Sequence, residues 1–130
     1  MSMFESVLGT QIRSLQVRAQ RTELLANNIA NVETPNFKAR DIDFKAAMSQ
    51  ASESLGMRTS HHGHIATGQV DGGAQANAGY RVPTQEAADG NTVESHVEKA
   101  EFAENATRYV ADLTFMKSRV QGLIRAMGRE

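Results

Sequence analysis

The sequence predicts a mainly α fold. Long N-terminal and C-terminal helices pack as an antiparallel coiled-coil-like hairpin, with a flexible Gly/Ala/Ser/His-rich middle segment between them. Three observations predict it. Apolar residues recur in alternating steps of four and three near both ends of the chain, which is the heptad spacing of a helix that packs along its length. Seven of the ten glycines fall between residues 55 and 90, where large apolar residues are scarce. Aromatic residues make up only 5% of the chain and Trp is absent. A core of Leu, Ile, Val, Met and Ala suits close helix packing better than a thick globular centre.

The first element spans Met3 to about Glu33. Leu8, Ile12, Leu15, Ala19, Thr22, Ala26 and Ile29 form its seam, widened by Phe4, Leu25 and Val32. Arg13, Gln16, Gln20 and Glu23 lie opposite, as on a solvated or partner-facing surface. About 30 residues at 1.5 Å each make a rod of about 45 Å. Such a rod needs a partner of similar length to cover its stripe. The helix ends by Thr34, because Pro35 disfavours α geometry in the residue before it.

The next segment, Asn36 to Phe44, alternates Phe37, Ile42 and Phe44 with charges, the pattern of an extended or loosely turned stretch anchored by its apolar groups. Lys45 to Ser54 holds a short helix. From Leu55 to Gly90 the composition is too polar to offset an ordering cost of about 1–2 kcal/mol per residue. It reads as a flexible loop, or one that orders in a complex, with at most one short hairpin near Gly79-Tyr80-Arg81-Val82. The last element has turn and cap chemistry in Asp89-Gly90-Asn91-Thr92, with Glu94 three residues after Asn91 completing a capping-box-like pair. From Val93 a helix runs to Met127. Phe102, Ala106, Tyr109, Leu113, Met116, Val120, Leu123 and Met127 form its seam, and Gly128 serves as a left-handed terminator. The organisation is therefore one helical core made by 1–34 and 92–130, with 35–91 as extended segment and middle loop.

Charge and composition narrow the function. The formal net charge is -1 and the pI is near 6.4, with a mean hydropathy of -0.44. No field of one sign is available to hold nucleic acid. With no Cys, disulfides, thiolate metal sites and Cys nucleophiles are excluded. The N-terminus lacks a basic region followed by an apolar core, so no cleavable secretory signal is expected. No apolar run reaches about 18 residues, so no transmembrane segment is expected.

Several chemical signals have plainer readings. His61, His62 and His64 lack a fourth ligand at metal-site spacing, so a solvated loop is favoured and no cofactor is expected. Asp41/Asp43 and Glu101/Glu104 resemble acid/base pairs, but nothing nearby in sequence tunes them; solvated faces are favoured. Asn105-Ala106-Thr107 fits a glycosylation sequon only incidentally, being mid-helix. Arg13, Arg18 and Arg21 are assigned to ion pairs between subunits. No phosphate loop, nucleophile elbow or metalloprotease motif occurs, so no enzyme is expected.

One stretch is chemically odd for a helix. Asn27, Asn28 and Asn31 lie within five positions, although Asn competes for backbone hydrogen bonds and disfavours helix interiors. Two readings follow. Asn31 begins the exit from the helix, or Asn27, Asn28 and Asn31 hydrogen-bond across subunit contacts and set register as a buried Asn does in coiled coils. The residues alone leave both open, and the family resemblance given next favours the second.

The segment Ala26-Asn27-Asn28-Ile29-Ala30-Asn31-Val32-Glu33-Thr34-Pro35-Asn36-Phe37-Lys38 resembles the signature of the flagellar rod, hook and axial protein family. That signature has the form A-N-N-(I/L)-A-N-x-x-T-P-G-(Y/F)-(K/R). Ala39 to Phe44, Asp89 to Glu94, Glu104 to Tyr109 and the short length look like its proximal-rod branch. Asn36 stands where the family usually has Gly, and Asn is the next-best residue for a positive φ. Ser95-His96-Val97 departs from a more usual Leu and acidic residue.

The resemblance implies a structural subunit of the proximal rod of the bacterial flagellar basal body, crossing the periplasm and transmitting torque. It implies export by the flagellar type III apparatus without a cleaved signal. The implied partners are copies of itself, other flagellar rod subunits and a FliE-type adaptor at the rod base. The seam residues, together with Asn27, Asn28, Asn31, Thr34, Pro35 and Phe37, are the expected assembly residues. The other reading is a soluble helical adaptor associated with flagellar export.

Overall fold

The computed structural model describes residues 3–53, 77–85 and 87–128. Its elements are α1 (Met3–Ala30), β1 (Arg40–Ile42), α2 (Phe44–Glu53), β2 (Ala78–Tyr80) and α3 (Ser95–Met127). The two long helices lie antiparallel. Ser14 meets Asp112 near the middle of the pair and Asn28 meets Glu98 near one end. β1 and β2 form a two-stranded antiparallel ribbon in which Arg40 faces Tyr80 and Ile42 faces Ala78. The mainly helical hairpin expected from the heptads is the fold observed.

The middle of the chain is partly tied down. The stretch expected to be a flexible loop from Leu55 to Gly90 lies largely outside the described residues, as do His61, His62 and His64. Its last part holds β2, which pairs with β1 about forty positions upstream instead of closing the local hairpin expected near Gly79. The ribbon and α2 pack on one flank of α1, where Val17, Ile42 and Ala47 are buried with Leu24, Phe44 and Ala78 against them. Asp43 starts α2: its Oδ1 accepts from the amides of Lys45 (2.9 Å) and Ala46 (3.1 Å), which satisfies two amides at the helix start.

α1 stops at Ala30, three residues short of Glu33, and the next six residues turn. The amides of Val32, Thr34 and Phe37 donate to the carbonyls of Ile29, Asn31 and Thr34. Asn36 takes the left-handed conformation with φ 59°, the geometry expected of an Asn at a glycine-type position. The carbonyls at this end share a distant partner: Asn91 Nδ2 lies 3.1, 2.8 and 3.1 Å from the carbonyl oxygens of Asn31, Val32 and Thr34, of which Asn31 and Thr34 also accept from backbone amides. Gly90, at φ 72°, packs so closely that a Cβ there would stand 2.6 Å from Asn36 Oδ1.

This corrects the expected cap of α3. Asn91 is spent on the end of α1, while its Oδ1 accepts from the Val93 amide at 2.8 Å. α3 begins at Ser95 with Glu94 extended before it and no side-chain cap. The Glu94 carboxylate instead accepts from the amides of Thr84 and Gln85 at 3.0 and 3.1 Å. Gly128 ends α3 at φ -92°, not in the left-handed region; its amide donates to the carbonyl of Ile124.

Candidate assembly surface and the polar seam behind it

The contact between α1 and α3 runs one residue before the predicted seam on both helices. On α1 it follows Ser14, Arg18, Arg21, Leu25 and Asn28, and on α3 Glu98, Glu101, Asn105 and Asp112. Leu25, Asn28, Glu98 and Asn105 are buried there. The spacing is still heptad-like, but the residues are mostly polar. One residue along a helix is a rotation of 100°, so each apolar stripe is turned out of the pair. Because the helices are antiparallel, equal rotation in the same sense brings both stripes to the same outer flank. The opposite flank holds Val17 and Leu24, covered by α2 and the ribbon.

The expected assembly residues distribute accordingly. Ile12 is 44% exposed and Leu113 38%, and Ala19 is exposed as well. Leu8, Leu15, Ile29, Phe102, Tyr109, Met116, Val120 and Leu123 are half-buried. Met116 and Leu123 follow the contact line of Asn105 and Asp112 by helical spacing, so they sit closer to α1 than the rest. Thr34 and Pro35 are exposed in the turn and Phe37 is half-buried.

Hydrogen bonds fill the seam itself. Asp112 Oδ2 accepts from Ser14 Oγ (2.5 Å) and Arg18 Nε (2.6 Å), and the Arg18 guanidinium stacks 4.2 Å from the Phe44 ring centroid. Asn105 Nδ2 donates to the Arg18 carbonyl at 3.0 Å and to Thr22 Oγ1 at 2.9 Å. The bond to the Arg18 carbonyl reads helix backbone directly, so sliding α3 along α1 breaks it.

A charge hub lies where α1, the ribbon and α3 meet. Arg21 grips Asp41 with two bonds of 2.8 Å and also donates to Glu101 at 2.8 Å. Arg81 bridges Asp41 (2.5 Å) and Glu98 (2.8 Å). Glu98 is 0% exposed. Burial alone pushes the Asp41 carboxyl up, but hydrogen bonds from Arg21, Arg81 and the Ile42 amide outweigh it and hold the pKa below the ordinary value. The bond to Asp41 likewise raises Arg21, so its charge is permanent. A buried pair persists when such bonds satisfy the charges.

Three expectations are corrected here. Asp41 and Glu101 are paired inside the chain, not on solvated faces; Asp43 is exposed and caps α2. Arg18 and Arg21 make their ion pairs within one chain. Asn28 is 1% exposed and is consumed internally: its amide exchanges two hydrogen bonds with the backbone of Arg40, at 2.8 and 3.1 Å, and donates to Glu98 at 3.1 Å. Asn31 Nδ2 turns back to Asn27, donating to its carbonyl and to its Oδ1. Glu98, Asn105, Asp112 and Arg81 were not singled out for the seam. The seven-residue spacing of the first three, matched by Ser14, Arg21 and Asn28, was the available signal. Among the described residues no cluster of His, Asp and Glu suits a metal ion, and no helix is long and apolar enough to cross a membrane.

The hairpin thus has a largely polar interior seam and an outer flank that carries the apolar stripes of both helices. The family described as "Flagella basal body rod protein" matches residues 8–38, which span the seam of α1, the Asn-rich turn and Lys38. A "Flagellar basal body rod protein FlgB" of Cereibacter sphaeroides is 43% identical over 130 residues, covering all of both chains. Proteins of the same name are 38% identical in Aeromonas hydrophila, covering 98% of this chain and 96% of that one, and 37% identical in Salmonella typhimurium, covering 95% and 94%. The chain belongs to the flagellar basal body rod protein family, in its FlgB group.

Proposed function

We propose that this rod subunit assembles through the outer apolar flank that α1 and α3 share, in the proximal part of the rod. The observation that supports this most directly is the division of labour between the two faces. Polar bonds and the buried Leu25 fill most of the contact inside the hairpin, so Leu8, Ile12, Leu15, Ala19, Ile29, Phe102, Tyr109, Leu113 and Val120 remain to cover a neighbour. Two helices side by side give a broad face into which helices of the next subunit pack. Copies of this chain and other rod subunits are the occupants, with a FliE-type adaptor at the base. The rod passes through the periplasm, subunits reach it by type III export without a cleaved signal, and the packed helices transmit torque. This role needs no catalysis.

The test places one charge on each half of the flank. Ile12→Glu and Leu113→Glu are half-exposed positions, so the purified variants are expected to melt within a few degrees of the parent. Swarming in a strain lacking the native chain is expected to fall to the level of the deletion. Swarming at the parent level for both variants would overturn the proposal.

A further inference from the structure

The ribbon is closed on one edge and open on the other. In its pairing Arg40 and Tyr80 face each other without exchanging backbone bonds, since the Arg81 amide donates instead to the Ala39 carbonyl at 2.9 Å. The N–H and C=O of Arg40 therefore point away from β2, and the Asn28 amide fills both. It does the work of a third strand in one side chain. By the same pairing geometry the N–H and C=O of Tyr80 point away from β1. No described residue completes them. Such an edge is a template for another chain.

The surroundings of that edge state what fits it. Tyr80 is 74% exposed and Val82 88%, so two side chains on alternate positions project from one short edge. The Arg40 guanidinium lies 5.6 Å from the Tyr80 ring centroid, and Lys45 borders the same cleft as Gly79 and Tyr80. No carboxylate among the described residues pairs with Arg40 or Lys45. Asp41 is taken by Arg21 and Arg81, and Asp43 caps α2.

We propose that β2 accepts an extended acidic segment of a neighbouring protein chain as a third strand, bonded through the Tyr80 backbone, with a carboxylate set against Arg40 and an apolar residue beside Val82. Backbone bonding supplies affinity in this mode and the alternate side chains supply selectivity. The surface is distinct from the outer apolar flank, because the ribbon sits on the opposite side of the hairpin. The inference rests on the rod-subunit reading only for where the neighbour is sought.

Two measurements test it in basal bodies purified from cells making the full chain. First, a Tyr80→Pro variant deletes the outward N–H along with the ring and leaves the pairing with β1 intact, since that N–H takes no part in it, and a Gly before proline accepts the strand geometry. Tyr80→Ala removes the ring and keeps the N–H. The expected result is parent-like melting for both, with incorporation into basal bodies lowered at least tenfold for Tyr80→Pro relative to Tyr80→Ala. Equal incorporation overturns the proposal. Second, hydrogen exchange of the peptide around Tyr80 is compared between free and assembled chain, and a benzophenone residue at position 82 is photo-crosslinked in the assembled rod. Slower exchange on assembly and a crosslink to an acidic segment of another chain are expected. Unchanged exchange, a crosslink to residues 54–76 of the same chain, or a crosslink to β2 of a second copy overturns it. Absence of the parent chain from basal bodies would instead strike the rod reading itself.

Discussion

Replacing Asn28 by alanine tests the polar seam at its most concentrated point. The substitution removes two hydrogen bonds with the Arg40 backbone and one to the fully buried Glu98. A typical bond contributes about 0.5–1.5 kcal/mol net, and an unsatisfied buried group costs about 1–3 kcal/mol. Against this, alanine is the better helix former by about 0.5 kcal/mol. With three bonds lost and the Arg40 groups left open, the net loss is about 3 kcal/mol. Asn27 provides the contrast. It is exposed, and its side chain only accepts from Asn31, so Asn27→Ala is expected to stay within about 0.5 kcal/mol of the parent. Urea unfolding followed by circular dichroism at 222 nm reads both variants. The expected result is a markedly lower midpoint, or lost helicity without denaturant, for Asn28→Ala alone. Equal midpoints for the two variants would refute the assignment of Asn28 to the interior.

Two further outcomes follow from the same contacts. Asp41 is held below its ordinary pKa of 3.8, so its contribution is present above about pH 4 and is lost as pH falls through the lowered value. Asp41→Asn is expected to flatten the acid limb of the stability profile and to lower stability near neutral pH by about 1–3 kcal/mol; an unchanged acid limb, read by melting temperature between pH 2 and 7, would count against the hub. Asn91→Ala removes the side-chain donor shared by three carbonyls after α1, leaves that of Val32 open, and is expected to cost about 1–2 kcal/mol. Amide exchange should speed up in residues 31–38 before the rest of α1, and uniform exchange along the helix would contradict the capping role.

The elements that repeat were legible in the sequence. Heptad spacing marks both long helices, Pro35 and the Asn-rich run mark the first turn, and Asn36 announces its positive φ, because these are local properties of spacing and backbone preference. The face that each helix buries was not legible. An apolar stripe is equally well covered by the same chain or by a neighbour, and periodicity carries no record of which. The polar line one residue earlier reads as solvated surface until its partners are known. Those partners lie far away in sequence: Arg21 finds Asp41 and Glu101, Arg81 finds Glu98, and Asn105 finds the carbonyl of Arg18. The same distance hid the role of Asn91, whose spacing to Glu94 fits a helix start while its amide serves the end of another helix. Spacing and backbone preference thus determined the two helices and the turn. Only tertiary structure decided which face turns inward, because the choice rests on hydrogen bonds between groups that share a site and nothing else.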